Sequence, residues 1–288
     1  MKMNHLRSGT GKPLLLIHGL GGSARSWSTI WKPLTACHDV IAVDLPGFGA
    51  TPPLRGETSI RSLCDAVTSF IDTQGLRGVD AVGSSMGARL VLELARRGGV
   101  LGSVVSLDPG GFWRGWERHA FFSSIWLSIR AVRMLQPVMP AISRSKVART
   151  MLLAQLCRRP WALEPAVVLE EMRSYARAPA FDELLHRLAY GEVQEGAARG
   201  SIEAPLVIGW GRNDRVCFTS QAKRALALFP DARLHWFERC GHFPHWDAPK
   251  ETVQLILHTS ARQIGTSAAE TPVAQSAILG AGPGAGAA

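Results

Sequence analysis

Cysteine is scarce and poorly placed for a scaffold. Cys37, Cys64, Cys157, Cys217 and Cys240 are odd in number and widely spaced, and no Cys-x-x-Cys pair occurs. That pattern excludes a disulfide framework and a zinc site. No apolar run approaches the roughly 18 residues of a membrane span. The opening Met1-Lys2-Met3-Asn4-His5 leads into no apolar stretch of signal-peptide type. The expectation is a soluble cytoplasmic protein in a reducing compartment, with no metal and no cofactor. Acids are also scarce, and unevenly so. The chain has 32 Lys and Arg against 23 Asp and Glu, a net charge of +9. From Phe112 to Pro160 nine basic residues (Arg114, Arg118, Arg130, Arg133, Arg144, Lys146, Arg149, Arg158, Arg159) face one acid, Glu117. No helix-turn-helix, zinc-finger or RNA-binding signature accompanies this excess, so nucleic acid is not the expected partner. A basic patch attracts anionic substrates or an anionic membrane surface; the plain alternative is a solvated helix face.

What is present is a long chain able to bury a large core: 288 residues, 46% of them hydrophobic. Residues 3–9 suggest a short edge strand. Pro13-Leu14-Leu15-Leu16-Ile17 and Val40-Ile41-Ala42-Val43 are continuous apolar runs, the pattern of strands buried on both faces. Val79–Val82 and Leu101–Leu107 follow. Between them Trp27, Ile30, Trp31 and Leu34, and then Ile60, Leu63, Cys64, Val67, Phe70 and Ile71, recur at helical spacing. A third helix runs from the turn after Val82 to about Arg97. Alternation with short loops predicts βαβ units: an α/β protein with a mostly parallel central sheet and helices on both faces. It breaks from Phe112 to Gly200, where no convincing strand appears. That stretch is too long for a plain loop and reads as an inserted helical cap over one rim of the sheet. A strand near Leu206, a helix near 219–228, a strand near 232–237 and a last helix from Pro249 resume the pattern. The expected division is a core of 1–111 and 201–264, a cap of 112–200, and a disordered Gly-Ala-rich tail of 265–288.

The chemistry centres on Gly83-Ser84-Ser85-Met86-Gly87, between an apolar strand and a helix. Glycines at both ends let strand and helix approach around a strained residue, so the frame selects Ser85 as a nucleophile. Serine needs a base, and the base an orienting acid. His18, His242 and His245 all follow strand ends. His242, just after the last strand, is preferred by position and by the order Ser…Asp…His. The acid is Asp214, in the polar turn after a core strand, with Asp108 in reserve. A developing oxyanion needs aimed donors. The Met86 N–H, at a helix start, is one. The Leu20 N–H, in His18-Gly19-Leu20-Gly21, is the other.

With these pieces in place the chain resembles the α/β-hydrolase superfamily, in its lidded serine esterase and C–C hydrolase branch. The likeness covers residues 13–111 and 204–262. It rests on Leu15-Leu16-Ile17-His18-Gly19, Asp44-Leu45-Pro46-Gly47-Phe48-Gly49, Gly83–Gly87, Gly211-Arg212-Asn213-Asp214 and Gly241-His242-Phe243-Pro244. The resemblance implies a Ser85–His242–Asp214 triad and a helical lid over about 112–200. Serine at the nucleophile position sets the chain apart from the related epoxide hydrolases and haloalkane dehalogenases. One departure is the short lead of about 13 residues before the His-Gly strand. It implies that the family's first strand is missing. The aromatic, aliphatic cap implies an apolar cleft. Trp27, Phe48, Trp113, Phe243 and Trp246 are the candidate lining residues, with core packing as the alternative for each.

The leading expectation is hydrolysis of an ester or thioester of a hydrophobic acyl group through an acyl-enzyme. A second is C–C bond hydrolysis of a vinylogous diketone, with Arg173 or Arg177 of the cap holding a substrate carboxylate. Acyl transfer or perhydrolysis differs only in the acceptor. The reading from another class is a non-catalytic binder on the same fold.

Overall fold

The computed structural model describes residues 2–265. Strands β1 (His5–Ser8), β2 (Lys12–Ile17), β3 (His38–Val43), β4 (Val79–Ser84), β5 (Leu101–Leu107), β6 (Leu206–Gly211) and β7 (Arg233–Phe237) form one sheet in the order β1-β3-β2-β4-β5-β6-β7. The pairs β2·β3, β2·β4, β4·β5, β5·β6 and β6·β7 are parallel, whereas β1 runs antiparallel to β3 from His5↔Val43 to Ser8↔Val40. No strand precedes β1 among the described residues, so this four-residue strand is the sheet edge. Arg7 on β1 is ion-paired with Asp39, and short charged edges resist pairing with another chain.

The continuous apolar runs are explained by period two. Leu15, Ile17, Ile41 and Val43 enter the core on one face of the sheet, and Leu14, Leu16, Val40 and Ala42 enter the core on the other. Helices α1 (Ser28–Thr35), α2 (Ile60–Thr73) and α3 (Met86–Arg97) connect the first strands. α2 and α3 pack on the first face through Leu63, Val67, Leu90 and Val91, and α1 on the second through Ile30 and Leu34. Ser59 caps α2 by accepting from the Ser62 N–H, an N-terminal capping box. Before α1 the chain takes a 3-10 turn over Ala24–Trp27, capped by Ser23.

Between β5 and β6 the described chain is helical: α4 (Trp116–Met134), α5 (Met139–Arg144), α6 (Lys146–Leu153), α7 (Pro165–Arg177) and α8 (Phe181–Tyr190). α9 (Ser220–Leu228), the short α10 (Pro244–Asp247) and α11 (Pro249–Gly265) complete the chain. Val253 and Ile256 of α11 join the α1 face. Residues 266–288, nearly all of the segment expected to be a disordered tail, lie outside the described residues. Among the described residues no helix is long and apolar enough to cross a membrane.

Candidate active site

The turn from β4 into α3 forces Ser85 into φ 54°, ψ −111°, a conformation non-glycine residues avoid at a cost of about 1–3 kcal/mol. Neighbouring glycines make the turn possible. A Cβ on Gly83 would lie 2.1 Å from the Gly87 carbonyl oxygen, and one on Gly87 would lie 2.1 Å from that of Ile17. The turn thus leaves no room for side chains at its two ends, and it projects Ser85 Oγ from the carboxyl rim of the sheet. Ser84, by contrast, is buried with its hydroxyl unpartnered.

Ser85 Oγ lies 2.8 Å from His242 Nε2, and His242 Nδ1 lies 2.8 Å from Asp214 Oδ2. Asp214 Oδ1 accepts the N–H groups of Val216 (2.7 Å) and Cys217 (3.0 Å). These donors make Asp214 an acceptor-only carboxylate, so His242 Nδ1 carries the proton and Nε2 accepts the Ser85 O–H. Asp214 and His242 are buried, which strengthens the pairing relative to water. Such a line can draw a proton from the serine as its oxygen attacks.

The two rival histidines have other partners. His18 Nδ1 donates to the Gly19 carbonyl (2.7 Å), and its Nε2 accepts the Leu45 N–H (3.0 Å). Burial lowers its pKa, so it stays a neutral strap between two rim loops. His245 is buried against the Trp27 ring, 4.9 Å between centroids, and burial pushes its pKa down to about 3. Asp44 stitches the rim by accepting the N–H groups of Ala24 (2.7 Å) and Ala50 (2.8 Å).

Asp108, the reserve acid, sits behind Asp214. Its Oδ1 accepts the Gly211 N–H at 2.8 Å, and Oδ2 has no donor. Burial, then the adjacent Asp214 charge, push its pKa well above the carboxylate range. Both influences favour the protonated form of Asp108. Asp214, Cys217 and His242 are the one group of described residues close enough to share a metal, within 4.8 Å. Burial, then the Asp214 charge, push the Cys217 thiol pKa up and keep it protonated, and the other two already bond each other, so the set does not suit a metal.

Leu20, Ser85, His242 and Phe243 line a cavity of about 230 Å³ roofed by the helices between β5 and β6. Neither the Leu20 nor the Met86 N–H donates to a protein acceptor among the described residues. A Cβ on Gly19 would lie 3.1 Å from Ser85 Cβ, which shows how closely this loop passes the serine.

Of the five aromatic side chains expected in the cleft, only Phe243 lines this cavity. Trp27 is core on the α1 face, and Phe48 packs edge-on against His18 at 5.4 Å. Trp113 stacks behind Phe121 at 4.3 Å, and Trp246 behind Phe243 at 4.7 Å. Each supports a neighbour instead of facing the cavity. Arg173 and Arg177 are also misplaced for a carboxylate clamp at Ser85. They line a separate depression of about 350 Å³ with Arg25 and Glu170. The lining that sequence reasoning missed is cap side chains: Phe121, Ile125, Ile129, Val132, Leu152, Met172, Tyr175, Phe181 and Leu188, with Val216 from the core. Helical spacing marks them as apolar-face residues but does not separate cavity from core.

Cap and site are bonded together at two places. On α7, Glu171 accepts the Ser26 O–H at 2.9 Å and Ser174 donates to the Gly21 carbonyl at 2.8 Å. Gly21 has no room for a Cβ under Phe181 and Tyr175. Burial raises the Glu171 pKa to about 7. After α6, the Leu156 carbonyl accepts the His242 N–H at 2.9 Å. The Asp247 carboxylate gathers the N–H groups of Arg158, Arg159 and Gly241 and the Cys157 thiol.

Residues 14–255 match the Alpha/beta hydrolase family. A similar curated protein is the dihydrolipoyllysine-residue acetyltransferase component of the acetoin cleaving system of Cupriavidus necator. It is 27% identical over 268 residues, which cover 89% of this chain and 66% of that one, just under two thirds of its length. The 2-hydroxy-6-oxo-6-phenylhexa-2,4-dienoate hydrolase of Burkholderia cepacia is 25% identical over 265 residues, covering 87% and 88%. Among solved structures, a membrane phospholipase A described as a bacterial virulence factor superposes with a TM-score of 0.71 at 26% identity, covering 93% and 84%. A meta-cleavage product hydrolase from Pseudomonas fluorescens IP01 gives 0.69 at 22%, covering 91% and 94%, a likeness of fold. The family match runs from β2 into α11, across the whole sheet except its edge strand, and the chain therefore belongs to the alpha/beta hydrolase family.

Proposed function

We propose that the protein is a serine hydrolase that cleaves an ester or thioester of a hydrophobic acyl group. Ser85 attacks the carbonyl carbon while His242 Nε2 takes its proton. Asp214 holds the imidazole with Nδ1–H inward and stabilises the imidazolium. The Leu20 and Met86 N–H groups receive the oxyanion, each worth about 2.7–4 kcal/mol of barrier. His242 then protonates the departing oxygen or sulfur, and water, activated by the same imidazole, releases the acid. The five unpaired cysteines fit the cytoplasmic setting.

The observation that carries the substrate class is the lining of the cavity. Its walls are apolar cap side chains, and no Lys or Arg is among them. A buried carboxylate without a cation is costly, so a neutral acyl chain suits this space. The relation to a membrane phospholipase A supports the same class.

C–C bond hydrolysis is the second reading, favoured by the relation to the Burkholderia cepacia dienoate hydrolase. A dienoate carries a carboxylate, which the cavity does not neutralise. Turnover over a panel of p-nitrophenyl esters, acyl thioesters and a yellow ring-cleavage product decides between them, with Ser85→Ala as control. Cleavage of the yellow compound alone would refute the acyl reading. An unlabelled Ser85 after fluorophosphonate treatment of folded protein would refute the nucleophile, and would favour a binder.

A further inference from the structure

The cavity over Ser85 has its most exposed lining on one side. Of its lining residues only Ser128 on α4 and Met151 on α6 are exposed. To one side of them α4 is bonded to the segment just past α6: Ser128 Oγ donates to Gln155 Oε1 at 3.0 Å and Gln155 Nε2 donates to Ser124 Oγ at 2.8 Å. The mouth therefore opens through the outer surface of the cap, between α4 and α6.

That surface is unusual for a protein face in water. Leu127 (64% exposed) and Met134 (74%) lie on the outer stripe of α4, with Arg130 between them. Val147 (72%) and Met151 (78%), one turn apart, form the outer stripe of α6. Large apolar side chains are seldom left this exposed in a cluster without a partner. Around them the cations exceed the acids, although Arg133 beside Met134 is paired with Asp182. Arg144 ends α5 and Lys146 starts α6, and with Arg130 they make no ion pair among the described residues. The Arg130 guanidinium lies over the half-exposed Trp126 ring, 4.1 Å from its centroid. The one acid of this segment, Glu117, is taken up by Arg224 of α9. An apolar centre with tryptophan and unpaired cations around it matches the boundary between headgroups and acyl chains of an anionic bilayer. A second copy of the chain would bring the same positive charge to the contact, and like charges oppose it.

We infer that the outer face of α4 and α6 docks on an anionic phospholipid bilayer and sets the mouth of the Ser85 cavity against the lipid. The assignment of a lipid-like acyl substrate to this mouth rests on the acyl reading above; the docking surface itself does not. Apolar chains would then pass from membrane to cavity without crossing water.

The test uses full-length Ser85→Ala protein, sedimented with vesicles of phosphatidylcholine alone or mixed with phosphatidylglycerol, at low and high salt. Binding to the anionic vesicles that salt weakens is expected. Arg144→Gln with Lys146→Gln should lower that partition about 30-fold, at about 1 kcal/mol for each cation. Leu127→Glu with Val147→Glu should abolish it. In the Ser85 background both double variants should turn over a soluble short-chain ester as before, which shows that they fold. No binding to either vesicle, or binding that both variants leave unchanged, overturns the proposal. So does a concentration-dependent dimer that Leu127→Glu dissolves, since the face would then belong to a second copy. Vesicle binding without any ester turnover supports the surface and refutes the acyl reading.

Discussion

Two carboxyls stand at the site, and exchanging each for an amide separates their roles. Asp214 Oδ2 takes the His242 Nδ1–H at 2.8 Å, and Oδ1 is already committed to two backbone N–H groups. In Asp214→Asn the amide presents N–H groups where His242 needs an acceptor. The imidazole then favours the other tautomer, with its proton facing Ser85, and cannot act as base. The same exchange in a Ser-His-Asp triad costs about 10⁴-fold in kcat, which corresponds to about 5.4 kcal/mol of barrier. Asp108 is already neutral. In Asp108→Asn the amide oxygen still accepts the Gly211 N–H, and a neutral group of the same size stands where burial already favours a neutral carboxyl. The expected loss is less than about fivefold, or about 1 kcal/mol. Release of p-nitrophenol from a short-chain ester measures both, with urea unfolding to confirm the fold. Asp108→Ala supplies the contrast: it leaves a buried N–H without an acceptor and should cost about 1–3 kcal/mol of stability. An Asp108→Asn enzyme that folds normally and is as inactive as Asp214→Asn would refute the division of roles.

Ser85→Ala should abolish ester turnover and fluorophosphonate labelling, whereas Ser84→Ala, which removes a buried unpartnered hydroxyl, should keep both within about threefold; equal loss in the two would move the nucleophile. Ile125→Trp, which fills the cavity wall, should lower kcat/KM for long-chain esters at least about tenfold and leave acetyl ester hydrolysis within about threefold; a uniform loss would mean that the chain lies elsewhere. The Glu171 carboxyl ionises at about 7 in the folded protein against an ordinary 4.5. The unfolded chain therefore releases this proton first, and stability is full below about pH 4.5 and falls until about pH 7, by about 3 kcal/mol in all. Glu171→Gln lacks that loss, so urea unfolding of variant and wild type should diverge over this range; parallel curves would contradict the burial of Glu171 without a cation beside it.

The sheet was legible because its signal is local. Leu14–Ile17 and Val40–Val43 alternate between two cores, and a strand buried on both faces can only read as an unbroken apolar run. Ser85, Asp214 and His242 were legible because each stands just past a strand end, where a parallel sheet gathers its loops on one rim. The cavity was not. Trp27 and Phe121 follow the same helical periodicity in the sequence, yet one is core beneath His245 and the other lines the space over Ser85. Periodicity tells which face of a helix is apolar, and the angle at which helices cross decides what that face meets. The misplacement of Arg173 and Arg177 has the same origin. α7 presents Met172 and Tyr175 to the cavity, so its arginines fall on the far side.

The helices between β5 and β6 do more than wall the cavity. Leu156 lines the cavity, and its carbonyl also takes the His242 N–H. The next three residues are gathered by Asp247, whose carboxylate also accepts the Gly241 N–H just before His242. At the other end, Met172 and Tyr175 line the cavity from the helix whose Glu171 and Ser174 bond the loop that carries Leu20. The same short stretches therefore shape the cavity and position the candidate base and oxyanion donor. Fixed geometry of those groups is what lowers the barrier, so a change in these stretches should reach kcat as well as KM. The outer stripe of α4 makes none of these bonds, so evolution can change that surface without disturbing the site, while a new cavity wall built from residues 156–175 must preserve the bonds to Gly21, Ser26, Gly241 and His242.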